Sequence, residues 1–165
     1  MALDYRQFKE LLDNFKEVQK QYEVFLRKFL TEMGMRALAQ TKKLTPIDTG
    51  NLRNRWELSQ VFRNGDSLYV VLFNPAEYAS HVEDGHMQHK RFLPIKYLED
   101  SPANAKMISS LKQKYGTNVK GVMLQEKWIP GHHMARISIS KIEREIPKRY
   151  EKALQQFMKR LGAAD

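Results

Sequence analysis

All five histidines of the chain fall in two short segments, and their chemistry has to be considered first. The first segment also contains Glu83 and Asp84, and the histidines are His81, His86, His89, His132 and His133. Imidazole and carboxylate groups are common protein ligands of zinc. Zinc-binding helices, however, place two histidines four residues apart, and no pair here has that spacing. We therefore predict no bound metal, and a histidine-based metal-dependent enzyme stays open as an alternative.

Other catalytic and cofactor-binding patterns are missing from the sequence. The chain has no cysteine, which excludes disulfides, thiol catalysis and cysteine-ligated metals and is typical of a protein that matures in a reducing compartment. Its eight glycines are scattered singly, so no phosphate-binding loop is formed, and no Gly-x-Ser-x-Gly motif provides a nucleophile. The sequence therefore predicts no catalytic residue, no cofactor and no small-molecule substrate.

The chain is basic, with 28 basic and 19 acidic residues and a net charge of +9. Residues 1–40 are nearly balanced, and the excess is spread over the rest of the chain. Such a chain is attracted to polyanions at low salt. Arginines also flank aromatic residues at Arg53, Arg55 and Arg63, beside Trp56 and Phe62, although these aromatics fit the buried face of a strand equally well. A basic DNA-binding protein is therefore a second alternative.

Length and composition predict a single domain over residues 1–165. A chain of 165 residues with 42% hydrophobic residues can bury a substantial core. No apolar run approaches the ~20 residues of a membrane span, and acidic residues near the N-terminus disagree with a signal peptide. We find no repeat and no linker between domains.

The first 43 residues predict one long helix, because apolar residues recur at steps of three and four. Such a helix would be roughly 60 Å long. A compact domain of this size is only roughly 30–40 Å across. Either the helix bends near Gly34 and folds back on itself, or another protein covers part of its apolar stripe. We favour the second interpretation and expect Phe15 and Tyr22 to lie in an interface.

The segment 45–53 predicts a sharp turn after this helix. Pro46 ends the helix, Asp48 can accept hydrogen bonds from nearby amides, and Gly50 permits a positive φ. Leu52 is expected to anchor the turn in the core. Arg53 would then begin the next strand and face a carboxylate or a partner.

The remaining sequence completes an α+β fold, with a long N-terminal helix, a small antiparallel β-sheet built on a hairpin, and a C-terminal helix. Two strands at 56–62 and 68–73 flank an Asn-Gly turn, which is a strong hairpin signal. We expect short helices at 76–84 and 103–115, irregular structure at 86–102, a third strand at 119–128, and a final helix at 132–161 that contains Pro147.

Two motifs resemble those of phage neck and minor tail components, the family that includes lambda minor tail protein Z. Residues 45–53 (TPIDTGNLR) resemble its Thr-Pro-x-Asp-Thr-Gly-x-Leu-Arg signature. Residues 78–85 (YASHVEDG) resemble its Tyr-Ala-x-x-Val-Glu-x-Gly segment, which singles out Tyr78, Val82 and Gly85. Residues 131–134 (GHHM) are similar to a third feature before the last helix. The stretch 93–121 is longer than the family pattern, and we interpret it as an insertion.

The resemblance implies a virion structural protein without enzymatic activity. Members of this family are parts of the head–tail junction that join or close the tail. The chain would form a homo-oligomeric ring, contact portal-side or tail-side virion proteins and assemble in the bacterial cytoplasm. A loose contact with packaged DNA is left open, and no membrane is involved.

Overall fold

The computed structural model describes residues 5–100 and 104–162. Within them the helices are α1 (Tyr5–Leu44), α2 (Asn51–Asn54), α3 (Ala79–Asp84), α4 (Ile95–Glu99), α5 (Ala105–Tyr115) and α6 (Met134–Leu161). The strands are β1 (Glu57–Leu58), β2 (Phe62–Asn64), β3 (Ser67–Tyr69), β4 (Leu72–Phe73), β5 (Gly85–Gln88), β6 (Arg91–Pro94), β7 (Gly121–Leu124) and β8 (Lys127–Pro130). The predicted α+β class is confirmed.

The chain divides into two compact units. The first, unit 1, consists of Met1–Ala37, Leu58–Leu72 and Ile139–Asp165. The second, unit 2, consists of Leu38–Glu57 and Phe73–Ser138. The single-domain organisation over 1–165 stays a prediction.

Helix α1 is one continuous helix of 40 residues, and a helix pair folded back at Gly34 was the wrong alternative. Residues 1–4 of the predicted helix lie outside the described residues. Gly34 has a packing role instead. A Cβ atom at this position would lie 2.8 Å from Leu58 Cδ2 and 3.0 Å from Val70 Cγ2. The missing side chain therefore lets the hairpin approach the helix closely.

Unit 1 is built where α1 packs against the later part of α6. Its core consists of Met33, Ala37 and Ile142, against which Phe29 and Ile146 pack. An aromatic cluster continues this contact along the two helices, and its members are Tyr22, Phe25, Phe29, Tyr150 and Phe157. The hydroxyl groups of Tyr22 and Tyr150 lie 2.6 Å apart. This hydrogen bond, with burial, raises the pKa of Tyr150.

The predicted hairpin is confirmed, although it is less regular than expected. β2 and β3 pair antiparallel around a turn in which Gly65 has a φ of +57°. β1 pairs with β4 further from the turn. Between the two ladders the Ser59 amide donates to the Val71 carbonyl, and the Ser59 hydroxyl accepts from the Val71 amide. A side chain thus replaces part of the ladder, which divides the expected strands.

Charged side chains attach the hairpin to α1. Arg63 pairs with Glu23 at 3.1 Å, and Arg27 donates both to Glu23 and to the Val61 carbonyl. The hydrogen bond from Arg27 lowers the pKa of Glu23, and the charge of Arg63 lowers it further. This ion-pair group lies on the surface, so it orients the hairpin more than it stabilises the fold.

The prediction of irregular structure at 86–102 and one strand at 119–128 was wrong. β5 pairs antiparallel with β8, and β6 pairs antiparallel with β7. Helix α4 then follows at 95–99, and α5 begins at Ala105. The sequence of 86–94 does not alternate cleanly between apolar and polar residues, because the narrow ribbon that these strands form leaves large apolar side chains exposed. The expected strand at 119–128 is interrupted at 125–126 and continues to Pro130.

We predict that Gly34→Val lowers the free energy of unfolding by about 1–3 kcal/mol, because the added branches overlap with Leu58 and Val70. Gly34→Ala is the control. Its single methyl group meets the flexible end of Leu58, and the gain in helix propensity of about 1 kcal/mol offsets that contact. Urea denaturation of the three proteins measures the difference. Equal stability of the valine variant and the wild type would contradict the close approach.

Candidate assembly site

The turn at 45–53 ends α1 as predicted, but it leads into a helix. The Thr45 amide and hydroxyl both donate to the Thr41 carbonyl, at 2.9 and 2.7 Å. Gly50 has a φ of +82°, as expected, and precedes the short helix α2. Leu52 is buried in that helix, which confirms its anchoring position. Arg53 lies within α2 and does not begin a strand, because Gly50 directs the chain into a helical turn.

Polar side chains connect this turn to the second family motif. The Asn51 side-chain amide donates to the Tyr78 hydroxyl at 3.0 Å. The Asn74 side-chain amide donates to the Leu52 carbonyl at 2.8 Å, and its oxygen accepts from the Ala76 amide. Asn74 thus bridges the two motifs and fixes the bend that follows β4. The Asn74-Pro75 pair is typical of a strand end, and no local pattern in the sequence indicates that Asn74 forms this bridge.

The second motif is in turn joined to the third through Glu83. The His132 amide donates to the Val82 carbonyl at 2.8 Å, and the His133 amide donates to the Glu83 carbonyl at 3.0 Å. The two carboxylate oxygens of Glu83 accept from the backbone amides of Ala135 and Arg136, at 3.1 and 3.0 Å. Glu83 therefore caps the N-terminus of α6, where a negative charge is favourable.

Two glycines allow this close approach. Gly85 has a φ of +88°, and a Cβ atom there would lie 2.6 Å from the Ile129 carbonyl oxygen. A side chain at Gly131 would collide with the Glu83 carbonyl. Gly85 was singled out in the sequence as a motif position, whereas Gly131 and the capping role of Glu83 were missed. The signal that could have indicated this contact was the match of 78–85 and 131–134 to two family motifs, since motifs distant in sequence often meet in space.

The predicted site residues of unit 2 divide by exposure. Pro46, Asp48 and Tyr78 are exposed. Gly50, Val82, Gly85 and Arg53 are half-buried. Arg53 forms no ion pair with any residue that the structure describes. Leu52, Val82 and Gly85 serve the internal packing of the motifs.

The two predicted site residues of unit 1 have different surroundings. Phe15 is 65% exposed on α1. Tyr22 is half-buried and faces α6, where it contacts Tyr150 and Phe157. A groove runs along α1 and the end of α6, and its lining includes the apolar residues Val18, Val24, Phe25, Phe29, Ala153, Phe157 and Leu161. α1 thus displays an apolar surface, of which Phe15 is the most exposed aromatic residue.

Two of the five histidines lie close together. The rings of His81 and His86 lie 5.2 Å apart. Within residues 5–100 and 104–162, no three histidine or acidic side chains are grouped so that they could hold a metal ion. Of the helices described, none is long and apolar enough to cross a membrane.

We predict that Glu83→Ala lowers the free energy of unfolding by about 1–2 kcal/mol, since two amides at the start of α6 lose their acceptors. Glu83→Gln retains one acceptor oxygen without the charge, so its loss is smaller. The exposed Glu77→Ala is the matched control and leaves stability unchanged. Chemical denaturation gives the order, and a neutral Glu83→Ala variant would contradict the capping role.

The comparisons with known proteins agree with the motifs. Residues 9–85 match the HK97-gp10-like family model, described as "Bacteriophage HK97-gp10, putative tail-component". No curated protein and no solved structure matches the chain significantly. The matched range contains the exposed face of α1, the turn at 45–53 and the segment 78–85. The predicted resemblance to phage neck and tail components is therefore confirmed: over residues 9–85 the chain matches the HK97-gp10-like family of phage tail components.

Proposed function

We propose that this protein is a structural component of the phage head–tail junction, where it forms a ring that joins or closes the tail. The family match over residues 9–85 supports a tail component. The ring is our inference from α1, whose apolar surface continues past the residues that α6 covers. Its partners would be copies of itself and neighbouring virion proteins, in particles assembled in the host cytoplasm. In this role the protein acts through its interfaces and not through catalysis.

The exposed Phe15 is the observation that carries this proposal. Phe15 is 65% exposed, and Val18, one helical turn further along α1, is 45% exposed, so neighbouring apolar side chains are available to a partner there. Residues 1–40 carry seven basic and six acidic residues, so copies of the chain do not repel one another strongly there. A ring requires contact between two different surfaces of neighbouring subunits, and α1 would provide one of them.

We predict that Phe15→Glu reduces the yield of complete particles at least about tenfold, because a carboxylate would be desolvated in the interface. Phe15 makes no part of the core of unit 1, so the isolated variant stays folded. Gln155→Glu adds the same charge at an exposed position of α6 and serves as the control. Complementation of a gene deletion, followed by particle counting and thermal melting, measures both properties. Normal particle yield with Phe15→Glu would remove α1 from the interface.

Arg53 provides a second and independent test in unit 2. Since its guanidinium has no ion-pair partner among the described residues, we predict that Arg53→Glu reduces particle yield while the melting temperature of the isolated chain is unchanged. Arg55→Glu, on the same short segment and exposed, is the control. Wild-type yield with Arg53→Glu would assign this residue to the turn alone and not to an interface.

A further inference from the structure

We call the segment from Gly85 to Pro130 the arm, and the proposed function makes no use of it. Its two ladders share one register, since Gln88 faces Lys127 and Arg91 faces Leu124 with two residues of each strand between them. The strands 85–94 and 121–130 therefore form one long antiparallel ribbon, of about 33 Å for ten residues. The Gln88 side chain donates to the Gln125 carbonyl across the interruption, at 2.7 Å.

The tip of the arm, of which the structure describes residues 95–100 and 104–120, is attached to the end of the ribbon. The Ile95 amide donates to the Lys120 carbonyl at 3.0 Å, which closes the tip at its base. Leu98 is buried, and Glu99 of α4 pairs with Lys112 of α5 at 2.8 Å. The predicted insertion, 93–121, thus begins and ends on paired strands. The match to the family model stops at residue 85, where the arm begins.

Large apolar side chains stand opposite one another on the ribbon and are half in water. Met87 faces Trp128 on one face of the ribbon, and Phe92 faces Met123 on the other, because residues five positions apart on a strand point to opposite faces. All four are between 46% and 56% exposed. Apolar side chains that stay this exposed lack part of the hydrophobic stabilisation that full burial would give. Aromatic residues and methionine are also the residues that protein interfaces favour.

Glycines on the neighbouring strand hold the two aromatic rings in position. A Cβ atom at Gly85 would lie 2.8 Å from Trp128 Cζ2, and one at Gly121 would lie 2.7 Å from Phe92 Cζ. Each ring therefore lies over a glycine at one end of the ribbon. Side chains that are already ordered lose less conformational entropy when a partner binds. The ribbon is thus prepared to present these rings to another molecule.

The charge of the arm indicates the chemistry of that molecule. Residues 85–130 contain eight basic and three acidic residues, a net charge of +5 out of +9 for the whole chain. The excess positive charge of this chain lies outside residues 1–40, so the basic surfaces of a second copy do not complement the arm. DNA would be attracted to the lysines, but phosphate contacts do not require exposed methionine and phenylalanine pairs. An acidic protein surface with an apolar centre satisfies both features.

We propose that the arm binds an acidic virion protein different from this chain through one face of the ribbon, with Phe92 and Met123 at the centre of the contact and Lys90 and Lys127 on the same face beside them. This proposal rests on the proposed function, since it places the protein in a particle. The proposal assigns different partners to α1 and to the arm according to their charge. The nearly neutral α1 contacts other copies, and the basic arm contacts a different protein.

Photo-crosslinking in particles tests this division. Phe92→p-benzoylphenylalanine places the crosslinker on the arm, and Phe15→p-benzoylphenylalanine places it on α1. After irradiation of purified particles, mass spectrometry identifies the crosslinked peptides. We expect the arm to crosslink to an Asp- and Glu-rich peptide of another virion protein. Combining it with Lys90→Glu and Lys127→Glu, on the same face of the ribbon, lowers that adduct about tenfold. Lys148→Glu with Lys152→Glu, which makes the same charge change on α6, leaves it unchanged.

The possible outcomes separate the two proposals. If immunoblotting shows that the chain is absent from purified particles, the proposed function fails and the arm proposal fails with it. If the chain is present but the arm crosslinks only to its own copies, only to nuclease-sensitive DNA, or to nothing, the arm proposal alone is overturned. The control for folding is that all variants have the same circular dichroism spectrum as the wild type.

Discussion

The carboxylate of Glu83 is the constraint on which the arrangement of unit 2 depends. The carboxylate accepts from two backbone amides at the start of α6, while the backbone carbonyl of Glu83 accepts from the His133 amide. A single residue thereby caps the first turn of α6 and closes the loop before it. Because Gly85 and Gly131 carry no side chains, the two strands can approach at the same point. The ribbon begins at this junction.

In unit 1 the corresponding role belongs to packing between two helices. The aromatic cluster of α1 and α6 covers one stretch of the α1 stripe, and the hydroxyl pair of Tyr22 and Tyr150 holds it in register. Toward Phe15 the stripe continues without cover from the residues described. The part of the stripe that is covered stabilises the unit, and the uncovered part is available to a partner.

The elements with strong local signals could be predicted from the sequence. α1 has a regular apolar stripe, the hairpin has an Asn-Gly turn, and Gly50 has the positive φ that its motif suggested. The ribbon could not be predicted, because its strands pair residues more than 25 positions apart in a segment without clean alternation. Tyr22 and Phe15 occupy the same stripe in the sequence, so periodicity could not tell which of them faces α6.

The sequence by itself predicted the resemblance to phage neck and tail components, because the residue spacing within 45–53 and 78–85 matches motifs of that family. It also determined the long helix, since helical periodicity is a local property. Only the tertiary structure decided what those motifs do. It showed that Asn74 and Glu83 join them by hydrogen bonds, that Gly34 is required by the hairpin, and that a basic ribbon carries exposed apolar pairs. Hydrogen bonds and contacts between distant residues depend on how the chain folds back, and no local pattern records that.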